Sequence, residues 1–345
     1  MRLFSATCAL AWAALVVAPG HAAPAGDGGY TIVNQYKVGG EGGWDLMTVD
    51  PQAHRLYFGR STRVQVFDLD SGKVVAEIPD TPGIHGVALA PDLGRGFTSN
   101  GRDSSVTVFD LKSLAVLARV HIDGRNPDDI LYEPVTKRVF TFNAGSGTAT
   151  ALDAATATVV GNVTLGGRPE FAVADGHGRV FVNLEDSSAV VAFDARSLAL
   201  GTRWSLAPGE GPSGLAMDRE HRRLFSVCGN EKMVVLDADA GRVLATLPTG
   251  KGTDGVEFDP GTGLAFSSNG EGTLTVIHED GPDKFSVVGN VTTQRGARTM
   301  ALDPATHRIY MAAASFGEPP APTADRPHPR PPMIPGSFVI LVLGR

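Results

Sequence analysis

Seven polar residues recur along this 345-residue chain at intervals of 40, 43, 42, 43, 41 and 44: Asp45, His85, Asp128, Glu170, Ser213, Asp254 and Arg298. Each stands five residues before the Asp, or its equivalent, of a turn, as Asp45 stands before Asp50 and Asp254 before Asp259. Three positions further on, the same register holds Thr48, Ala88, Leu131, Val173, Ala216, Glu257 and Ala301, a mostly apolar set with Glu257 as its outlier. The polarity therefore belongs to one position and not to the whole segment. Brought into a ring, these groups have definite chemistry. His85 between Asp45 and Asp128 is pushed toward imidazolium, and Arg298 falls between Asp254 and Asp45. Asp128 and Glu170 are neighbours with no cation of the ring between them, so they either share a proton or hold a cation. Asn143 and Asn183 could add carbonyl oxygens, Asp129 is adjacent in sequence, and calcium takes such a ligand set. The bland alternative is that these carboxylates and amides tie down backbone N–H groups of neighbouring loops. Trp44, beside Asp45, could stack on a ligand or serve packing.

Bringing together positions some 40 residues apart requires a repeat. The stretch from His85 to Asn126 contains four short apolar or β-branched runs, HGVALA, GRGFTS, SVTVFD and AVLARV, separated by turn residues, which reads as a four-strand antiparallel meander. An aromatic marks the second strand of each copy: Tyr57, Phe97, Phe140, Phe181, Phe225, Phe266 and Tyr310, spaced 40, 43, 41, 44, 41 and 44. An apolar residue followed by Asp closes the third strand at Asp68, Asp110, Asp153, Asp194 and Asp237, and His278 replaces that Asp in the sixth copy. Seven such copies predict an all-β, seven-bladed propeller of four-stranded antiparallel blades. The last copy has three strands of its own, at 298–302, 308–313 and 338–342. Tyr30 to Val38 alternates polar and apolar residues and is expected to supply the fourth, closing the ring and removing an open sheet edge.

Residues 1–25 read as a secretory signal peptide, with Arg2, an apolar stretch and small residues around Ala23, so residues 26–345 form a single propeller domain that is periplasmic or secreted and carries no membrane anchor. Loss of that leader leaves 29 basic against 37 acidic residues, 29 − 37 = −8, which argues against nucleic acid as a partner. Cys228 is then the sole cysteine and, with no convincing base beside it, reads as a small packing residue. Neither CxxCH, nor a Walker loop, nor HExxH occurs. His54, His177, His221 and His307 fall in turns on the face opposite the polar ring, one per blade, too scattered to share a metal. Blade 7 carries a proline-rich insertion at 316–336, expected to be extended and to lie on the face of the ring, as a cover for the channel mouth, a docking strip, or a tolerated loop.

The copies FTSN at 97–100, FTFN at 140–143 and FSSN at 266–269, each followed by a TVTVFD-like strand, resemble the YVTN-repeat propellers, and the chain is similar to the YncE-like periplasmic group. Blades 1, 4, 5 and 7 depart from the motif with YFGR, FVNL, FSVC and YMAA. The resemblance implies an exported seven-bladed propeller, with single-stranded DNA binding in one branch of the group. Two function classes follow. One is a monomeric binding or interaction module that takes a small molecule or a partner protein at a polar, mostly acidic channel mouth, with calcium as the candidate cation. The other is a metal-assisted hydrolase of the lactonase type.

Overall fold

The structure is a computed structural model that describes residues 28–323, 329 and 331–345, so the leader expected at 1–25 lies outside the described residues. The described residues form seven four-stranded antiparallel sheets. The innermost strands are Met47–Asp50, Ile84–Ala90, Pro127–Glu133, Pro169–Ala174, Pro212–Asp218, Thr253–Asp259 and Met300–Asp303. They touch one another in that order, and the last touches the first, so the blades close into a ring. No helix among the described residues is long and apolar enough to cross a membrane.

The seventh sheet runs Thr31–Lys37, Val339–Gly344, Arg308–Ala313, Met300–Asp303, so the N-terminal strand completes the C-terminal blade. Tyr30, fully buried just before that strand, locks it in place. Its ring meets Phe266 of blade 6 edge-on at 5.0 Å, and its hydroxyl donates to the His307 carbonyl at 3.0 Å. The first strand of blade 7 begins at Met300, two residues later than the repeat predicts, and the Arg298 carbonyl before it accepts the Gly255 N–H of blade 6.

Burial explains the aromatic spacing. All seven second-strand aromatics are buried, and they pack between blades: Phe140 meets Phe193 of blade 4 at 5.2 Å, and Phe225 stacks on Phe258 of blade 6 at 5.1 Å. The core is thus a set of apolar layers between sheets, and an aromatic at each second strand fills the same gap around the ring. The Asp that closes each third strand has a local role. Asp110, Asp153, Asp194 and Asp237 each accept N–H groups two and three residues on, which turns the chain into the fourth strand. In blade 6, where His278 replaces it, the third strand runs on to Gly281.

The repeated Asn of the FTSN-like motifs is also structural. Asn143 accepts from the Thr141 hydroxyl and donates to those of Thr148 and Thr150, and Asn100 and Asn269 make the same set with their own neighbours. Asn143→Ala removes three hydrogen bonds inside a fully buried site. It should cost about 2–3 kcal/mol, read as a lower urea midpoint with an unchanged slope. Blade 1 replaces this device with Arg60, buried against Phe338 at 3.9 Å and donating to the Gly39 and Gly42 carbonyls.

The insertion between Arg308–Ala313 and Val339–Gly344 is better held than its proline content suggests. Its base pairs Phe316 with Met333, through Gly317 N–H to the Pro332 carbonyl at 2.9 Å and Ile334 N–H to the Ser315 carbonyl at 2.8 Å. Met333 packs onto the apolar layer between blades 7 and 1, so residues 315–317 and 332–334 belong to the fold.

Candidate functional site

The ring residues reach the channel mouth because the ladder breaks beneath them. In blades 2, 4, 5 and 6 two residues oppose one: His85-Gly86, Glu170-Phe171, Ser213-Gly214 and Asp254-Gly255 face a single partner residue each, and in blade 3 Asp128 is the extra residue. Such a bulge frees a side chain from the pleat and re-aims it. In blades 1 and 7, Asp45 and Arg298 precede the strand altogether. Glycine follows the ring residue where blades approach closely: a Cβ on Gly214 would lie 2.6 Å from the Asp254 carbonyl oxygen. Neighbouring blades hold the bulges in place. Ser99 Oγ accepts from Gly86 N–H and donates to the Asp128 carbonyl, and Asn183 donates to the carbonyls of Ser213 and Gly214.

Two carboxylates converge on one imidazole. His85 Nδ1 lies 2.7 Å from Asp45 Oδ2 and 3.0 Å from Asp128 Oδ1, and all three side chains are about one-quarter exposed or less. Burial opposes the charged imidazole, but the hydrogen bond to Asp45 and the charges of Asp128, Asp45 and Glu170 outweigh it, so the His85 pKa rises. Across the mouth Arg298 pairs with Asp254 at 3.0 Å. Glu170 has a cation that the ring register did not include, Arg168 two residues earlier, at 3.3 Å. Arg168 is shared with Glu185 at 2.7 Å, so it only partly offsets the carboxylates.

That imbalance shows in the acids themselves. Burial first, and then the charges of Asp128 and Glu185, push Glu170 up to about 8. Burial likewise pushes Asp254 up to about 6, with Arg298 opposing and Asp45 and Asp128 adding to the rise. Asp128 is raised by burial and by Asp45, against His85 and Arg168.

Of Asp128, Asn143, Glu170 and Asn183, expected to form an oxygen-rich corner, the two asparagines spend their carboxamides on other partners. The Asn143 carboxamide is committed within blade 3, and that of Asn183 donates to blade 5 and accepts from Ser226 Oγ. Asp129 is committed too: it accepts the N–H groups of Ile130 and Ala172 and is held by burial at about 7, bracing blade 3 against blade 4. Ser213 Oγ donates to the Thr253 carbonyl, at 3.4 Å. The atoms best placed for a cation at the mouth are those of Asp45, His85 and Asp128, which lie within 4.8 Å of one another.

Below the ring, a cavity of ≈ 510 Å³ runs along the inner strands, lined by the mostly apolar set from Thr48 to Ala301 and by Glu257, which burial pushes up to about 7. Beside the ring, under the insertion, a second cavity of ≈ 950 Å³ is lined by Trp44, Arg295, Arg298, Phe316 and Met333. Trp44 is half-buried there, 5.0 Å from the Phe338 ring and 6.1 Å from that of Phe316, so it both packs and presents an aromatic wall. Cys228 is fully buried with its thiol pushed up to about 11 by that burial, which suits packing and not nucleophilic chemistry.

No protein-family model matches the chain. No curated protein matches it in sequence. Among solved structures, the chain is similar to one from the crystal structure of the mitotic checkpoint complex, with a TM-score of 0.75 at 14% identity over 98% of this chain and 99% of that one. It is similar to the structure of U3-55K, with a TM-score of 0.75 at 10% identity over 91% and 99%. It is also similar to a chain of Kuenenia stuttgartiensis hydrazine synthase, with a TM-score of 0.69 at 16% identity over 79% and 93%. At these identities the likeness shows the propeller fold alone, a fold that commonly serves protein interaction.

Proposed function

We propose that the protein is an exported binding propeller of the YncE-like kind whose channel mouth receives the cationic group of a small organic ligand. The observation that carries this reading is the charge of the mouth. Among the described residues, Asp45, Asp128, Glu170 and Asp254, with Glu185 close by, pair with His85, Arg168 and Arg298, three cationic groups against five carboxylates, and Glu170 is driven up to about 8. An ammonium or guanidinium group entering here replaces the missing positive charge and lets Glu170 ionise. The apolar body of the ligand then lies against Trp44, Phe316 and Met333 in the adjoining cavity. A Lys or Arg side chain of a partner protein meets the same groups. The leader read in the first 25 residues would put this binding in the periplasm or outside the cell.

The convergence of Asp45 and Asp128 on His85 Nδ1 favours a second reading, in which a divalent cation held by these three polarises a carbonyl for hydrolysis. Thermal-shift measurements separate the two, using primary amines, guanidines, quaternary ammonium compounds and calcium chloride on the wild type and on the Asp128→Asn/Glu170→Gln double variant. Organic cations should raise the wild-type melting temperature, increasingly from pH 6 to 8, and leave the double variant unmoved. A metal response that needs His85, together with turnover of lactones or esters, would instead support the hydrolase. Indifference to every cation would remove both.

A further inference from the structure

On the opposite face, at the junction of blades 5 and 6, a second histidine meets two carboxylates. Asp218 ends the inner strand Pro212–Asp218 of blade 5, and His221 follows in the turn. Glu279 comes from blade 6, in a third strand of nine residues, Thr273–Gly281, where the third strands of blades 1 to 5 have five or six. The added length follows from the lost closing Asp: with His278 in its place, the hairpin runs past the rim, Gly281 pairing with Lys284. Arg223 of blade 5 clamps the hairpin tip, donating to the Pro282 carbonyl and to Asp283 Oδ1 at 3.0 Å. Glu279 is thereby carried over the blade 5 turn.

His221 Nδ1 lies 2.6 Å from Asp218 Oδ2 and 3.2 Å from Glu279 Oε1. A ring nitrogen has at most one proton, and the nearer Asp218 oxygen takes it. Both Glu279 oxygens are then buried without a hydrogen-bond partner, in a side chain only 3% exposed. Asp218 is equally buried, while His221 is 43% exposed, so the cluster is closed on the protein side and open to solvent through the imidazole. A buried carboxylate with neither oxygen satisfied needs either a proton or a cation.

We propose that Asp218, His221 and Glu279 form a site for a divalent transition cation of the zinc class, which ties the blade 6 hairpin to the blade 5 turn. One imidazole nitrogen and two carboxylate oxygens, all within 4.8 Å of one another, match a three-ligand tetrahedral set with its fourth position toward solvent. The imidazole selects zinc, cobalt or nickel over calcium or magnesium, which take oxygen sets. The rival occupant of the same space is a proton shared by Asp218 and Glu279. The histidine of blade 7 makes the contrast: among the described residues His307 Nδ1 pairs with one carboxylate, that of Asp259, at 2.8 Å.

The test uses the full chain stripped with chelator and titrated with zinc chloride, by calorimetry and thermal shift, and with cobalt chloride for visible absorption. The variants are Glu279→Gln, His221→Gln and, as a control at the channel mouth, His85→Gln. One zinc equivalent should bind and raise the melting temperature, and cobalt should give the absorption of a four-coordinate site. Both signals should be lost in Glu279→Gln and in His221→Gln, and kept in His85→Gln. Glu279→Gln removes a buried charge, so without metal it should melt no lower than the wild type. Zinc binding that survives Glu279→Gln, binding that vanishes with His85→Gln, or no response of the wild type to either metal would overturn the site.

Discussion

Deletion of Tyr30 to Val38 should yield a protein that aggregates or melts far below the wild type. The strand Thr31–Lys37 is mostly exposed on its faces, so its worth does not lie in apolar area. It lies in the ladder it makes with Val339–Gly344, from Thr31 opposite Gly344 to Lys37 opposite Val339, and in Tyr30. Without it, the strand Val339–Gly344, almost wholly apolar, becomes an open edge that can pair with another chain. Loss of the fully buried Tyr30 alone should cost about 3–5 kcal/mol, because its ring fills the layer against Phe266 and its hydroxyl satisfies the His307 carbonyl. Tyr30→Ala should therefore lower the urea midpoint without aggregation, whereas the strand deletion adds aggregation visible by light scattering. A deleted protein that remains monomeric with an unchanged melting temperature would refute closure by this strand.

Glu170→Gln should stabilise the protein increasingly as pH rises above about 4.5, and most above pH 8. An unfolded chain ionises this glutamate near 4.5, whereas the folded chain keeps it protonated up to about 8. Between those values the folded state binds more protons than the unfolded one, so stability is fully present below the lower value and is lost as pH rises through the upper one. Asp254, moved from 3.8 to about 6, and His85, raised from 6.5, act in the same direction. Acid works the other way. The turn aspartates Asp110, Asp153, Asp194 and Asp237 are held below the usual carboxylate range by the backbone N–H groups they accept, and their contribution is lost as pH falls below 3.8. The melting temperature should thus peak at about pH 4 and decline toward pH 8. At pH 8.5, Glu170→Gln should recover on the order of 3 kcal/mol, with little change at pH 4.5. A flat profile from pH 5 to 8, or a Gln variant no more stable at pH 8.5, would show that the mouth does not store this repulsion.

The repeat made the fold legible, because a propeller blade needs the same aromatic in the same gap and the same turn acid after the same strand. Tyr57 through Tyr310 and Asp68 through Asp237 therefore kept register across the chain. The ring position was legible for the same reason. What put its side chains at the mouth is a backbone bulge, whose only sequence trace is the glycine after His85, Ser213 and Asp254. Arg168 was missed because it lies two residues outside the counted register, although its charge is the one that faces Glu170. Asn143 and Asn183 looked like free ligands because sequence does not show that neighbouring hydroxyls and carbonyls already engage both amides. The encounter of His221 with Glu279 depends on how far one hairpin overhangs the next blade, and a count of histidines alone does not register it.

The central claim, that the mouth receives a cationic group, is tested most directly by counting protons. Calorimetric titration with phenethylamine, an ammonium on an aromatic body, at pH 7 in buffers of different ionisation enthalpy reports how many protons leave the protein on binding. Glu170 is protonated at that pH and must ionise to face the ammonium, so close to one proton should be released, and the release should disappear in Glu170→Gln together with most of the affinity. Binding without proton release, affinity unchanged in Glu170→Gln, or no binding of this or any other organic cation would contradict the account.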